Sequence, residues 1–153
     1  MNIHKMLLLA VIVIFPWTIA AEAQKEDAVK EEMKKLQGVW QVTKFIDHSE
    51  QPAPPDELKD HTFEFKADNV TQRKDKEFPG RSMKYTLNPS KKPKQMNMEE
   101  GRVLEGIYKL EGDELFLCFV GGMRGGKVTP RPTEFKASKN PPHSLLVLKK
   151  AKK

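Results

Sequence analysis

The sequence predicts an all-β domain, a single antiparallel up-and-down barrel of about eight strands with a short N-terminal helix. Short segments that alternate apolar and polar residues recur at spacings of roughly 8–12 residues, which is typical of a sandwich or a barrel. Only one segment has helical periodicity, so a parallel βαβ arrangement is not expected. Gly38 lets the chain turn out of that helix, and Trp40, which follows closely, can plug one end of a barrel.

Residues 1–23 have the pattern of a secretory signal peptide. A lysine precedes the apolar run Met6–Ala20, and the small-x-small motif Ala21-Glu22-Ala23 follows it. The run is about fifteen residues long, short of the roughly 20 that span a bilayer, and Pro16 interrupts it. We therefore expect cleavage after this motif. Residues 24–153 would then be exported as one domain, periplasmic or extracellular, with no membrane span.

The helix is predicted over Lys25–Leu36. Within it, Val29, Met33 and Leu36 recur at spacings of four and three residues, which places their side chains on one face. Gly38 supplies the signal that ends the helix.

Strand-like segments follow this helix to the end of the chain. Gln51–Pro55 is predicted to be a loop, because prolines lack the backbone donor that a central strand needs. Glu111-Gly112-Asp113 is predicted to connect a hairpin, with glycine where a positive φ costs little. The predicted strands are Val39–Ile46, His61–Lys66, Asn69–Arg73, Ser82–Leu87, Lys94–Glu99, Val103–Leu110, Glu114–Val120 and His143–Lys149, with a short edge strand at Thr133–Lys136.

The barrel interior is predicted from side-chain alternation along these strands. If Trp40 faces inward, Val42 and Ile46 on the same strand do so too, and Leu87 and Leu115 join the apolar interior. An eight-stranded barrel has room either for packed side chains alone or for one small ligand as well, so both readings stay open. The candidate ligand-binding residues are Trp40, Val42, Phe63, Phe65, Met83, Tyr85, Met96, Met98, Tyr108, Leu117 and Phe119.

Cys118 is the only cysteine, which excludes an intramolecular disulfide. It lies in the apolar run Leu115–Phe119, and free cysteine is among the most buried residue types. The sequence therefore predicts a buried structural thiol.

Lysine and arginine outnumber acidic residues, 27 against 21, which gives a formal net charge of +6. The basic residues are dispersed, without an arginine-rich stripe or alternation with aromatic residues, so specific nucleic-acid binding is not expected. A basic surface suits an anionic surface partner. We expect a monomer.

Motifs for catalysis, metals and cofactors are absent. The chain has neither a G-x-S-x-G elbow nor an H-E-x-x-H helix motif. His48, His61 and His143 lack metal-ligand spacing. The neighbouring carboxylates Glu99 and Glu100 would face opposite sides of a strand, so they cannot act as a glycosidase pair. We predict no enzyme activity, no metal site and no cofactor.

The glycine-rich segment Gly121–Gly126 lacks the order of a phosphate-binding loop, because Gly126-Lys127 is not followed by a helical sequence. We interpret it as a loop at the barrel mouth. Met123 and Arg124 at its tip are candidates for contact with a ligand or a partner.

Several motifs resemble known families. Leu36–Trp40 resembles the G-x-W signature of lipocalins. Further runs in order and spacing resemble a family of uncharacterised secreted domains, abundant in planctomycetes and described as lipocalin-like. These runs are Pro89–Lys94, Gly106–Leu115, Leu117–Phe119 and Arg131–Phe135. The resemblance implies the barrel fold over about Leu36–Lys149 and implies no particular activity.

The chain also departs from true lipocalins. Glu111-Gly112-Asp113 stands where lipocalins carry a T-D-Y motif. The lipocalin arginine that stacks on the tryptophan has no expected counterpart at Lys149 or Lys150, and Arg131 is the alternative residue to reach Trp40.

The leading functional hypothesis is an exported, non-catalytic binding module for a small apolar or amphipathic ligand inside the barrel. The alternative is a protein-interaction or inhibitor module that acts through its basic surface and loops and has a packed interior. An apolar cavity of roughly 300 Å³ or more would favour the first hypothesis.

Overall fold

The computed structural model describes residues 17–74, 80–121 and 129–152. These residues contain two helices and nine strands. The helices are α1 (Trp17–Leu36) and α2 (Pro55–Leu58). The strands are β1 (Gly38–Ile46), β2 (Thr62–Lys66), β3 (Asn69–Arg73), β4 (Arg81–Asn88), β5 (Gln95–Glu100), β6 (Arg102–Glu111), β7 (Glu114–Val120), β8 (Ser138–Lys139) and β9 (Pro142–Lys150).

The strands form one closed antiparallel barrel. From β1 to β7 each strand pairs with the next one in sequence, β7 pairs with β9, and β9 pairs with β1. Strand β8 pairs with β9 outside this ring. Eight strands therefore close the barrel, as the sequence predicted, and closure removes the unpaired edges that an open sheet would expose.

Helix α1 begins at Trp17 and not at Lys25 as predicted. Its first turns contain three alanines, which have the highest helix propensity, and no glycine or proline separates them from Lys25. Met33 and Leu36 pack against the barrel core as the periodicity predicted, and so does Val29. The apolar run of the predicted signal peptide lies mostly outside the described residues.

No helix among the described residues is both long enough and apolar enough to cross a membrane.

Trp40 closes one end of the barrel. Its indole is 1% exposed, and its Nε1 donates a 2.7 Å hydrogen bond to the carbonyl oxygen of Leu36 at the end of α1. The positive φ of Gly38, +113°, makes the turn between helix and strand, as the sequence predicted. The indole therefore links the end of the helix to the barrel. Without it, the buried carbonyl of Leu36 would have no hydrogen-bond donor.

Lys150 occupies the position over the indole. Its Nζ lies 5.0 Å from the centroid of the Trp40 ring and donates a 3.0 Å hydrogen bond to the carbonyl oxygen of Lys35. A cation is favourable both over an aromatic face and at a helix C-terminus. The expectation that Lys150 has no such role, with Arg131 as the alternative, was therefore wrong.

A bulge in β1 changes which residues face inward. Trp40 pairs with Lys150 and Val42 with Leu148, but the register shifts between Val42 and Lys44. The extra residue reverses the alternation, so that Phe45 packs against the core. The prediction that Ile46 faces inward was therefore wrong; it forms a bridge with Pro52 instead.

The predicted edge strand at Thr133–Lys136 does not form, and β8 lies just after it. Pro132 directly precedes this stretch and lacks the backbone donor that a strand needs. The side chain of Arg131 anchors the segment instead, with hydrogen bonds of 2.6 Å to the Gly106 carbonyl oxygen and 2.8 Å to a Glu105 carboxylate oxygen.

Cys118 lies beneath this segment on the outer face of the barrel. Its thiol is buried, as predicted, and Sγ lies 3.5 Å from the carbonyl oxygen of Lys136. Burial raises the pKa of the Cys118 thiol to about 11, so the group stays protonated at neutral pH. Ile107, Ala137 and Val147 are buried in the same region, which forms a small second core.

The substitution Trp40→Phe should lower the free energy of unfolding by about 1–3 kcal/mol, because the buried Leu36 carbonyl loses its hydrogen-bond donor. Urea unfolding followed by circular dichroism measures the change. Val103→Ala on the exposed outer face is the control and should alter stability by less than about 0.5 kcal/mol. Wild-type stability of W40F would contradict the role given to the indole.

Candidate functional site

Every candidate ligand-binding residue is buried, but the structure divides these residues between two ends of the barrel. At the end closed by Trp40 and α1, side chains fill the interior. The aromatic rings of Phe65 and Tyr85 meet edge to face there, with centroids 5.2 Å apart. The predicted residues at this packed end are Trp40, Val42, Phe65, Tyr85, Met96 and Tyr108.

Polar groups at the packed end are paired with one another. The hydroxyl of Tyr108 donates to the carboxylate of Glu32 over 3.2 Å, and Lys94 Nζ lies 2.8 Å from the same carboxylate. Burial opposes ionisation of Glu32, but the hydrogen bonds and charges of Lys35 and Lys94 prevail and hold its pKa below the usual value. Burial, together with the Glu32 charge, raises the pKa of Tyr108. Packed and hydrogen-bonded side chains therefore close this end of the barrel, which we call the seal.

The other end of the barrel is hollow. A cavity of about 430 Å³ lies there, away from α1, and its lining includes the β1–β2 connection, Lys74 and Arg81. Five of the predicted interior residues line it, namely Phe63, Met83, Met98, Leu117 and Phe119. The structure therefore brings about half of the candidate residues to one cavity and uses the others as packing.

Besides Pro52 and Ala53, four larger apolar residues that line the cavity were not among the candidates. They are Phe45, Leu58, Leu104 and Leu146. Phe45 was missed because of the bulge in β1. Leu146 lies in a run of apolar residues, Leu145–Leu148, where alternation gives no signal. Leu58 comes from the short helix α2 in the long β1–β2 connection, where it is buried over the barrel.

The β1–β2 connection is held in place by Asp47. Its carboxylate accepts hydrogen bonds from the Ser49 backbone nitrogen at 2.8 Å and the Ser49 hydroxyl at 2.6 Å. The backbone nitrogen of Gln51 donates a further hydrogen bond to this carboxylate. These bonds lower the pKa of Asp47, and the bond from the Ser49 side chain has the largest effect. Short aspartate-to-backbone bonds of this kind favour turns, so this rim of the cavity is preformed.

His61 and Gln72 provide a polar pair in the wall of the cavity. The Gln72 amide nitrogen lies 2.8 Å from Nε2 of His61. Since an amide nitrogen only donates, the neutral His61 ring accepts at Nε2 and carries its hydrogen on Nδ1. Burial, with a smaller contribution from the charge of Lys74, lowers the pKa of His61 and keeps the ring neutral.

Two basic side chains, Lys74 and Arg81, line the mouth of the cavity next to this pair. The carboxylates of Asp47 and Glu57 line another part of the mouth. The site thus combines an apolar floor, a neutral hydrogen-bonding pair and a charged rim. The predicted mouth residues Met123 and Arg124 lie outside the described residues.

Within residues 17–74, 80–121 and 129–152, no three histidine, cysteine or acidic side chains are close enough together to hold a metal ion.

No protein-family model matches the sequence, and neither a curated protein nor a solved structure is significantly similar to it. Membership of the secreted lipocalin-like family therefore stays a prediction from sequence motifs. The barrel itself is established by the pairing of its strands.

Substituting His61→Gln should weaken the pH dependence of stability. The pKa of His61 is lower in the folded than in the unfolded chain, so the unfolded chain binds more protons between the two values. Wild-type stability should therefore fall as the pH drops below about 6.5, and H61Q should lack this part of the loss.

Urea unfolding at about pH 7.5 and about pH 5 measures the two free energies. Thr62→Gln on the neighbouring outward position keeps His61 and should retain the wild-type pH dependence. An equal loss of stability in wild type and H61Q would show that His61 does not titrate differently in the folded chain.

Proposed function

We propose that this protein is an exported, non-catalytic binding module that holds one small apolar or amphipathic molecule in the hollow end of its barrel. The observation that carries the proposal is the cavity of about 430 Å³, which lies within the usual range of about 300–1,000 Å³ for small-molecule sites. Export is part of the proposal and is supported by the signal-like pattern of residues 1–23.

The lining of the cavity supports an apolar ligand. Its floor consists of aromatic, leucine and methionine side chains, and methionine adapts readily to irregular ligand shapes. A dry cavity of about 150 Å³ accommodates one benzene molecule, so a space of this size suits a ligand of roughly 15 non-hydrogen atoms.

The packed end of the barrel also supports a ligand-binding function, because it leaves the cavity accessible from one end only. Helix α1 and Trp40 seal one end, so a ligand would enter and leave through the mouth near His61. The alternative, an interaction or inhibitor module with a packed interior, is less favoured because its premise does not fit the hollow end. The hydrogen-bonded pair of His61 and Gln72 in the wall suits orientation of a ligand.

Filling the cavity should weaken ligand binding. Leu146→Trp places an indole in the space, which displaces at least two methylene groups of a bound alkyl chain, each worth about 0.8 kcal/mol. The affinity for decan-1-ol, measured by isothermal titration calorimetry, should fall about tenfold or more. Met83→Trp on the opposite wall is the second variant and should have the same effect.

Val103→Trp is the matched control, since it adds the same ring to the outer face, where Val103 is 48% exposed. It should bind decan-1-ol as the wild type does. Unfolding curves check that each variant is folded. Unchanged binding by folded L146W and M83W, or no binding by the wild type, would refute an interior ligand site.

A further inference from the structure

Gly106 interrupts an inward-facing row of large side chains on β6. Leu104 and Tyr108, two residues before and after Gly106, both pack in the barrel interior, so the glycine occupies an inward position as well. Gly106 pairs with Met96 on β5 and with Phe119 on β7, and both of these residues belong to the core. A strand position surrounded by apolar side chains ordinarily carries one of its own, so its absence here has a physical reason.

The reason is steric and not conformational. Gly101 and Gly112 adopt positive φ values of +66° and +61°, whereas Gly106 has no positive φ, so its backbone suits any L-residue. A β-carbon on Gly106, however, would overlap Cδ1 of Phe119 and lie 2.6 Å from Cε1. The ring of Phe119 therefore occupies the space that a side chain on Gly106 would need.

Phe119 thus leans across to the neighbouring strand. Inward side chains stand roughly perpendicular to their sheet, so an upright phenylalanine would extend towards the barrel axis. The ring of Phe119 instead lies over the backbone of β6 at the wall, where it still lines the cavity. The space that an upright ring would fill belongs to the cavity.

The backbone beneath the ring is held from the outside of the barrel. Nη1 of Arg131 donates a 2.6 Å hydrogen bond to the carbonyl oxygen of Gly106 and a 3.3 Å bond to that of Met96, which links β5 and β6 at this level. On the other side, the carbonyl oxygen of Cys118 in β7 lies 2.7 Å from the point where a β-carbon on Gly106 would be. A side chain on Gly106 must displace either this paired backbone or the ring of Phe119. The ring is the freer of the two, because it turns about its own side-chain torsions.

We propose that Gly106 sets the width of the ligand. It lets the ring of Phe119 lie against the wall and so leaves the cavity wide enough for a compact cyclic molecule as well as for a single alkyl chain. This inference rests on the proposed function and names the shape of the ligand for that site. Phe119 provides the surface that touches the ligand, and Gly106 is a positioning residue that acts through it. A glycine inside a strand weakens the strand, and close approach by another group is a common reason for one.

Two probes test the width of the cavity. Decan-1-ol and adamantan-1-ol have the same number of carbon atoms and one hydroxyl each, but the first is a thin chain and the second a compact cage. Titration calorimetry should show the wild type binding both, with affinities within about tenfold of each other. Gly106→Ala should weaken the binding of adamantan-1-ol about tenfold or more and that of decan-1-ol less than about threefold, because the displaced ring narrows the cavity.

A double-mutant cycle with Phe119→Ala shows whether the ring is responsible. In the F119A background the added methyl group has no ring to displace, so G106A should change the binding of adamantan-1-ol less than about twofold. A shift of the backbone alone would weaken binding equally in both backgrounds. Phe116→Ala is the matched control, because Phe116 lies on the outer face of the same strand, with its ring beside that of Phe135. It should bind both probes as the wild type does.

Unfolding curves check that each variant is folded. Phe119→Trp tests the inference even if G106A does not fold, because the larger ring exceeds the space over Gly106 and extends into the cavity. It should discriminate against adamantan-1-ol as G106A does, whereas Phe116→Trp on the outer face should not.

The outcomes separate the two proposals. Equal losses for both probes in folded G106A or F119W, or the same loss from G106A in the F119A background, would overturn the role of Gly106 and leave the proposed cavity function standing. A wild type that binds decan-1-ol but not adamantan-1-ol would do the same. Binding of neither probe by the wild type would overturn both proposals.

Discussion

The hydrogen bond from the Trp40 indole to the end of α1 is the constraint on which the rest of the structure depends. It gives the last turn of the helix a donor for one of its free carbonyls and fills the barrel end with the largest side chain available. Lys150, from the last strand, completes the arrangement from above the ring. The beginning and the end of the barrel are thereby joined at one point, next to the pairing of β1 with β9 that closes the sheet.

Sealing one end makes the barrel asymmetric. Bulky aromatic residues and Met96 occupy the interior near α1, so the unfilled volume lies towards the other end. Polar groups follow the same division. At the closed end Glu32, Lys94 and Tyr108 bond to one another, whereas His61 and Gln72 pair with each other in the wall of the cavity. The packed interior and the cavity therefore lie at opposite ends of one small domain.

Much of the barrel could be predicted from local patterns. Alternation identified the strands and placed Phe63, Phe65, Met83 and Met98 inside, because one face of each strand is consistently apolar. The hairpin at Gly112 was predictable from turn chemistry, and its φ of +61° agrees. The prediction failed where a distant contact overrides the local pattern. The bulge in β1 places Phe45 instead of Ile46 on the inward face. Lys150 reaches Trp40 only because β9 pairs with β1.

The sequence by itself determined the strand periodicity, the turns and the end-plugging role of Trp40, since each of these depends on residues close together along the chain. Only the tertiary structure decided that the candidate residues divide between a packed seal and a hollow mouth. It also decided that His61, Gln72, Lys74 and Arg81 share one wall. The reason is that these arrangements depend on the register between strands and on how α1 and α2 cover the barrel, neither of which a period-two pattern specifies.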